Sequence, residues 1–253
     1  MEECMFKNSC KNRDTELCNK LCYPYVLLHG RDGQKGFYGL SGVPKAYKTV
    51  TLETLPIEKE NPKAYAIIKN YIEKVIPIVK EKGFGLFLYS VPNKDNLFGT
   101  GTGKTTSAVA ILNTYIIEAT RQHLKGIKKI NNNPALFVKA SSLQNIYNSQ
   151  FRGTMDRQQE ASNKFYSLKA KMEKIDLLVI DDIAIRDTTE AFKNELYEIL
   201  DYRATESKAT IFTSNIPLSE LSKYLGERIV SRIEGMSMLV EFYGADHRKG
   251  GLW

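Results

Sequence analysis

Gly99-Thr100-Gly101-Thr102-Gly103-Lys104-Thr105-Thr106 is the stretch that decides the fold. It follows the continuous apolar run Phe84-Gly85-Leu86-Phe87-Leu88-Tyr89, which has the composition of a strand buried on both faces. It precedes a helix expected from about Lys104 to His123. Alternating glycines let backbone N–H groups turn inward onto phosphate oxygens, and the following helix N-terminus adds the positive end of its dipole. In such a loop Gly99, Gly101, Thr102, Gly103 and Thr106 form the cradle, Lys104 neutralises the β- and γ-phosphates, and the Thr105 hydroxyl ligates Mg²⁺. The strict spacing G-x-x-x-x-G-K-[ST] would put its first glycine at position 98, which is Phe98. The strand is expected to end near Ser90, so Val91 to Phe98 reads as an insert that replaces the usual tight turn. A glycine-rich turn that holds no nucleotide is the alternative, and the downstream residues weigh against it.

Working outward, a helical pattern runs from Pro62 to Val79 with Pro77 kinking or ending it. Beyond the loop come strand Leu136-Phe137-Val138, a polar helix-forming stretch over about Ser141–Lys174 and strand Leu177–Ile180. A helix from Thr188 to Thr205 and strand Thr210–Thr213 follow. Strands alternating with helices predict an α/β fold whose parallel sheet is sandwiched by helices. Asp181 and Asp182 end the third strand, where Asp181 can hold the Mg²⁺ shell and Asp182 can polarise an attacking water. Capping of the next helix is the plainer use of such a pair. Asn215 follows the last strand and can orient water beside the γ-phosphate, although an asparagine before Pro217 is also an ordinary turn residue. Arg228 and Arg232 lie four apart, hence on one helix face. An arginine presented there to a neighbouring subunit can stabilise the phosphoryl transition state; a surface pair is the alternative. Arg248 is placed late enough to contact the nucleotide of its own chain.

The four cysteines, Cys4, Cys10, Cys18 and Cys22, all fall in the first 22 residues with spacing C-x5-C-x7-C-x3-C. Two disulfides are one option, but they rarely persist in a reducing compartment. Four thiolates can instead surround one tetrahedral Zn²⁺ that folds a segment too small for its own core; an iron–sulfur cluster is the other metal option. Either site would be closed and structural. His29 is a possible substitute ligand, or simply a loop histidine.

A chain of 253 residues can bury a substantial core and suggests one main domain plus an appendage. We divide it into a four-cysteine metal-binding module (1–30), a linker of short extended pieces (31–60) and a nucleotide-binding domain (61–253). With 42% hydrophobic and 26% charged residues, wholesale disorder and collagen-like chains are excluded. No apolar run approaches the roughly 20 residues of a membrane helix. The start, Met1-Glu2-Glu3-Cys4, is acidic rather than signal-like, so a cytoplasmic protein with no membrane partner is expected. The net charge, 36 − 29 = +7, is concentrated. Between Glu118 and Asp156 there is no acidic residue, while Arg121, Lys125, Lys128, Lys129, Lys139 and Arg152 are basic. A phosphate-backbone footprint is the sharp reading of that stretch and a solvated face the bland one.

The ordered set resembles the AAA+ P-loop ATPases, and within them the bacterial and phage replicative helicase loaders of the DnaC/DnaI type. The resemblance covers about residues 44–250. It rests on Val43-Pro44-Lys45-Ala46-Tyr47, Gly99 to Thr106, Leu178 to Ile183, Tyr197 to Arg203, Thr210-Ile211-Phe212-Thr213-Ser214-Asn215 and Gly226 to Arg232. It implies that Lys104 and Thr105 act as Walker A, Asp181 and Asp182 as Walker B and Asn215 as sensor 1. It further implies Arg232 as arginine finger with Arg228 its companion, Arg248 as sensor 2, and a reduced C-terminal lid. Single-stranded DNA is expected near Lys125, Lys128, Lys129 and Arg152, and self-association into a ring or spiral on a hexameric helicase is expected with ATP between subunits. Such proteins act in bacterial or phage-infected cells, and some carry zinc in the N-terminal part that contacts the helicase. An IstB-type transposition helper, which binds duplex DNA and recruits a transposase, shares the same core motifs. An adaptor in which ATP only fixes assembly is a third reading.

Overall fold

The apolar runs expected as strands form four strands with ends within one residue of those expected: the first loses the exposed Phe84 and gains Ser90, and the others gain a residue at one or both ends. In the computed structural model they are β1 (Gly85–Ser90), β2 (Ala135–Lys139), β3 (Leu177–Asp181) and β4 (Ala209–Ser214). The structure describes residues 4–7, 10–94, 96–130, 132–185 and 187–246. A fifth strand, β5 (Ser237–Phe242), has no counterpart in the sequence reading. Glu241 interrupts its apolar run and Met238 and Leu239 are exposed, so it lacks the continuous signal of a strand covered on both faces. All pairings are parallel, in the order β2-β3-β4-β1-β5. That order sets the C-terminal ends of β1, β4 and β3 side by side, and the phosphate loop, Asn215 and the two aspartates follow those three ends.

Helices α1 (Tyr23–His29), α2 (Gly36–Gly39), α3 (Pro62–Glu73), α4 (Val75–Pro77) and α5 (Lys104–Leu124) come first, with a π turn at Ile78–Lys82 after Pro77. They are followed by α6 (Ala140–Ser149), α7 (Met155–Lys174), α8 (Glu190–Thr205), α9 (Leu218–Leu225) and α10 (Glu227–Met236). The stretch expected as one polar helix is therefore two, broken around Gly153, whose φ of +90° is unfavourable for other residues. Side chains alternate across the sheet as a period of two requires. Leu86, Leu88, Val179 and Ile211 pack with α3 and α5, whereas Phe87, Leu178, Ile180 and Phe212 pack with α6 to α10. No described helix is long and apolar enough to cross a membrane.

Residues 31–60, expected as an extended linker, form short helical turns that pack on the core through Tyr38, Leu55 and Ile57. Ser41 O accepts a hydrogen bond from Phe137 N–H (2.7 Å) on the outer edge of β2. Asn61 exchanges two bonds with Tyr243 just past β5: Nδ2 donates to its carbonyl (2.9 Å) and Oδ1 accepts from its N–H (2.7 Å). The expected reduced lid would lie beyond β5, where only Tyr243–Asp246 are described.

Beneath the sheet, Arg203 of α8 is completely buried. Its guanidinium donates to the carbonyls of Met172 (2.6 Å), Ile175 (2.9 Å) and Ala209 (2.6 Å) and to Thr210 Oγ1 (2.8 Å). Burial pushes its pKa down to about 9, with the charge of Asp176 pulling the other way, so it is a cation at neutral pH. This buried fork ties the end of α7 to the start of β4.

Candidate nucleotide site

The phosphate loop takes its shape from glycines with left-handed backbones. Gly99, Gly101 and Gly103 have φ of +59°, +66° and +97°. At Gly103, the residue before α5, an added Cβ would also lie 2.4 Å from Ile57 Cγ2, so a side chain there meets both strain and a packed neighbour. Lys104 is 5% exposed and its Nζ points back into the loop, donating to Gly99 O (2.8 Å), Thr102 Oγ1 (3.3 Å) and Ser90 Oγ. Ser90 and Thr102 hydroxyls lie 2.8 Å apart beneath it.

The insert Val91–Phe98 is tied to this loop through Asn96. Asn96 N–H donates to Asn93 Oδ1 (2.8 Å), its Nδ2 donates to Thr100 O (2.7 Å), and its Oδ1 accepts from Thr100 N–H (3.2 Å). A buried side-chain amide thus pins the insert to the loop, leaving Leu97 and Phe98 exposed at the tip. Thr100 Oγ1 also donates to Asp246 Oδ2 (2.7 Å).

At the neighbouring strand ends, Asp181 is buried and its Oδ1 accepts from Thr105 Oγ1 (2.7 Å) and Thr213 Oγ1 (2.8 Å). Thr213 in turn accepts from Asp182 N–H (2.8 Å). Asp182 has a φ of +57°, which aspartate tolerates better than most residues, and its Oδ1 accepts from Asn215 Nδ2 (3.0 Å). One connected network therefore joins α5, β3 and β4, with a buried carboxylate inside and an exposed one outside.

The structure thus brings together the glycines, Thr102, Lys104, Thr105, Asp181, Asp182 and Asn215, with Thr106 in the first turn of α5. Ser90, Asn96 and Thr213 are the members that the sequence reading missed. Their only signal is a polar residue at the buried end of a strand or inside an insert, which by itself looks like turn chemistry.

Arg228 and Arg232 share a face of α10, as their spacing requires, and turn to α8 rather than to the phosphate loop. Arg228 Cζ stacks 4.1 Å from the Tyr197 ring centroid, and Arg232 Nη2 lies 2.7 Å from Asp201 Oδ1. Arg232 also donates to Tyr197 Oη (3.4 Å), and that contact, with the Asp201 charge, holds its pKa above the usual arginine value. Arg248 lies outside the described residues. The basic stretch divides in space. Lys125 follows α5, and Lys128 and Lys129 lie before β2 on the wall of a cavity. Arg152 sits at the far end of the 20-residue α7, about 30 Å from its C-terminus at 1.5 Å per residue.

Cys4, Cys10, Cys18 and Cys22 line one small pocket. Burial pushes the Cys4 thiol up, and the charges of Cys22, Cys10 and Cys18 add to that shift. Among the described residues, no three Cys, His, Asp or Glu side chains are arranged to hold a metal ion as they stand. His29 is no loop residue: it ends α1, is buried, and its Nε2 accepts a hydrogen bond from Met5 N–H (3.3 Å).

Residues 146–239 match the family described as IstB-like ATP binding protein. The replicative helicase loader DnaC of Buchnera aphidicola subsp. Baizongia pistaciae is 27% identical over 213 residues, which cover 83% of this chain and 74% of that one. DnaC of Escherichia coli K12 is 22% identical over the same shares. The crystal structure of a DnaC helicase loader superposes with a TM-score of 0.56 at 24% identity, covering 79% of this chain and 99% of that one, a likeness of fold. The chain thus contains an IstB-like ATP-binding domain and is a distant homologue of helicase loaders over most of its length.

Proposed function

We propose that this protein hydrolyses ATP while loading a replicative DNA helicase onto single-stranded DNA, assembling as a ring or spiral in which ATP lies between subunits. The observation that carries the reading is the network of Thr105, Asp181, Thr213, Asp182 and Asn215 beside a lysine-filled glycine loop. Loop N–H groups and Lys104 bind and orient the β- and γ-phosphates. The converging hydroxyl of Thr105 and carboxylate of Asp181 are hard oxygen donors that fit Mg²⁺, which when bound neutralises phosphate charge. Asp182, exposed and steered by Asn215, positions water in line with the γ-phosphorus and takes up its proton as the bond to the ADP oxygen breaks.

In this reading Arg232, which its own chain holds through Asp201 and Tyr197, serves the neighbouring subunit. Arg232→Ala is expected to keep ATP affinity while hydrolysis falls by about a thousandfold or more. Mixing it with Asp182→Asn should restore part of the rate, because wherever an Asp182→Asn subunit lends its Arg232 to the site of an Arg232→Ala subunit, finger and carboxylate are both intact. A mixture as inactive as its components removes the trans role. Co-purification with the replicative helicase, with ATP turnover stimulated by single-stranded DNA, tests the loader reading. Absence of any helicase complex with ATP, ADP or no nucleotide overturns it.

The IstB-like match supports the second reading, a transposition helper. Preference for duplex over single-stranded DNA, with capture of a transposase, would decide for it.

The four cysteines suit Zn²⁺ in kind. They are soft donors around one pocket. About one zinc per chain is expected by elemental analysis, with a chelator lowering the melting temperature. Metal-free protein of unchanged stability overturns this assignment.

A further inference from the structure

At the N-terminal ends of β2 and β3 lies a cavity of about 680 Å³. The phosphate loop and its aspartates lie at the C-terminal ends, about 16 Å away along a five-residue strand. Lys128 and Lys129 approach the cavity from the loop before β2, and Lys171 and Lys174 approach it from the last turn of α7. All four are exposed, and among the described residues none has a carboxylate within ion-pair distance. The acid on the wall, Asp176, is already engaged by Lys80 and by the Tyr115 hydroxyl (3.1 Å). The mouth is therefore strongly cationic.

The interior has a different character. Ala119, Ile130, Leu136 and Ile175 give apolar walls, among which stand the amides of Gln122, Asn132 and Asn133. Asn133 Nδ2 donates to Ala135 O (2.9 Å), while its Oδ1 is buried with no hydrogen-bond partner among the described residues. The carbonyls of Met172 and Ile175, on the α7 side, are fixed by Arg203, so that wall is preformed.

We infer that this cavity is a second nucleotide-binding site, separate from the ATP site. Four ammonium groups at the mouth receive phosphate, and a base lies between the apolar walls. The side-chain amides of Gln122 and Asn132 on the wall can pair with a base edge. Inorganic phosphate alone would leave the apolar space and the amides unused. A purely apolar ligand would leave the lysines and the amides unused. The same chemistry comes either as a free nucleoside monophosphate or as one unstacked residue of a single strand. In the second case the site deepens the single-strand reading above, although it stands apart from helicase binding and ATP turnover.

The test uses the full chain with the phosphate loop saturated by a non-hydrolysable ATP analogue. Fluorescence anisotropy follows a labelled oligonucleotide of about 20 residues, and calorimetry follows AMP and dTMP. The variants are Lys128→Ala/Lys129→Ala and Lys171→Ala/Lys174→Ala, with the exposed pair Lys74→Ala/Lys223→Ala as the charge-matched control. Each cavity pair is expected to weaken oligonucleotide binding about tenfold and to flatten its log–log salt slope by about 1.4, for two contacts at about 0.7 each. The control should do neither. Photocrosslinking of a thiothymidine-containing strand should label peptides within residues 122–136 or 167–176. Tight AMP binding lost in the same variants assigns a free nucleotide; binding of the strand alone assigns nucleic acid. Equal losses in the control, crosslinks confined to other segments, or equal competition by polyglutamate of matched charge overturn the proposal. ATP turnover and helicase capture are measured in parallel, so a failed loader reading is distinguished from a failed cavity.

Discussion

Lys104→Ala is expected to weaken ATP binding at least a hundredfold while leaving the fold intact. Among the described residues, Lys104 is the side-chain cation that enters the glycine loop, where it donates to the neutral acceptors Gly99 O, Thr102 and Ser90. Charge-assisted hydrogen bonds to phosphate are worth about 1.5–3 kcal/mol each, so two of them amount to about 3 kcal/mol, or more than two decades in Kd. Ser90 and Thr102 are buried beneath the ammonium, but their hydroxyls keep each other as partners at 2.8 Å, so unfolding should cost only about 1–3 kcal/mol less. Titration with a fluorescent ATP analogue measures the first effect and urea unfolding the second. Unchanged affinity would remove the nucleotide site from this loop altogether.

The largest effect on stability is expected far from the loop, at Arg203. Arg203→Leu leaves three backbone carbonyls and the Thr210 hydroxyl in a dry interior without their donors. At about 1–3 kcal/mol for each unsatisfied group, a loss of at least about 4 kcal/mol follows, a large share of the roughly 5–15 kcal/mol that holds a domain together. A fall in Tm of about 8–16 °C corresponds to that loss for a chain of this size. Arg203→Lys retains the charge but not the planar fork, so it should fall between the two. A leucine variant within 1 kcal/mol of the parent in urea unfolding would mean that relaxation or water replaces the guanidinium.

Arg203 also shows where sequence reading stops. Its neighbours in α8 are ordinary helix residues, and nothing local marks it as the one arginine of that helix turned inward. The strands β1 to β4 were legible because burial on both faces leaves continuous apolar runs. β5 was not, since its outer positions face solvent and its pattern breaks at Glu241. The same division holds in the site. Gly99 to Thr106 could be read from its own glycine pattern despite the insert before it, and Asp181, Asp182 and Asn215 from their places at strand ends. Thr213, Asn96 and Ser90 act through contacts made across the fold, and no spacing encodes them. The basic run from Arg121 to Arg152 was legible as charge alone. Only the folding of α7 shows that Lys128 and Lys129 join Lys171 and Lys174 and part from Arg152.

Residues 41–61 run from one margin of the sheet to the other. Ser41 takes the free N–H of Phe137 on the outer side of β2, Ile57 closes over Gly103, and Asn61 clasps Tyr243 beyond β5. The segment is therefore a belt fastened at both ends, with the nucleotide loop beneath its middle. Fastening of this kind makes opening cooperative: the amides of Phe137 and Tyr243, on opposite margins, should exchange with deuterium at similar rates, and added ATP should slow both together if it binds the loop beneath Ile57. A protease cut inside the belt would release the two margins and the loop together, so the smallest piece of this chain able to hold nucleotide begins ahead of Ser41.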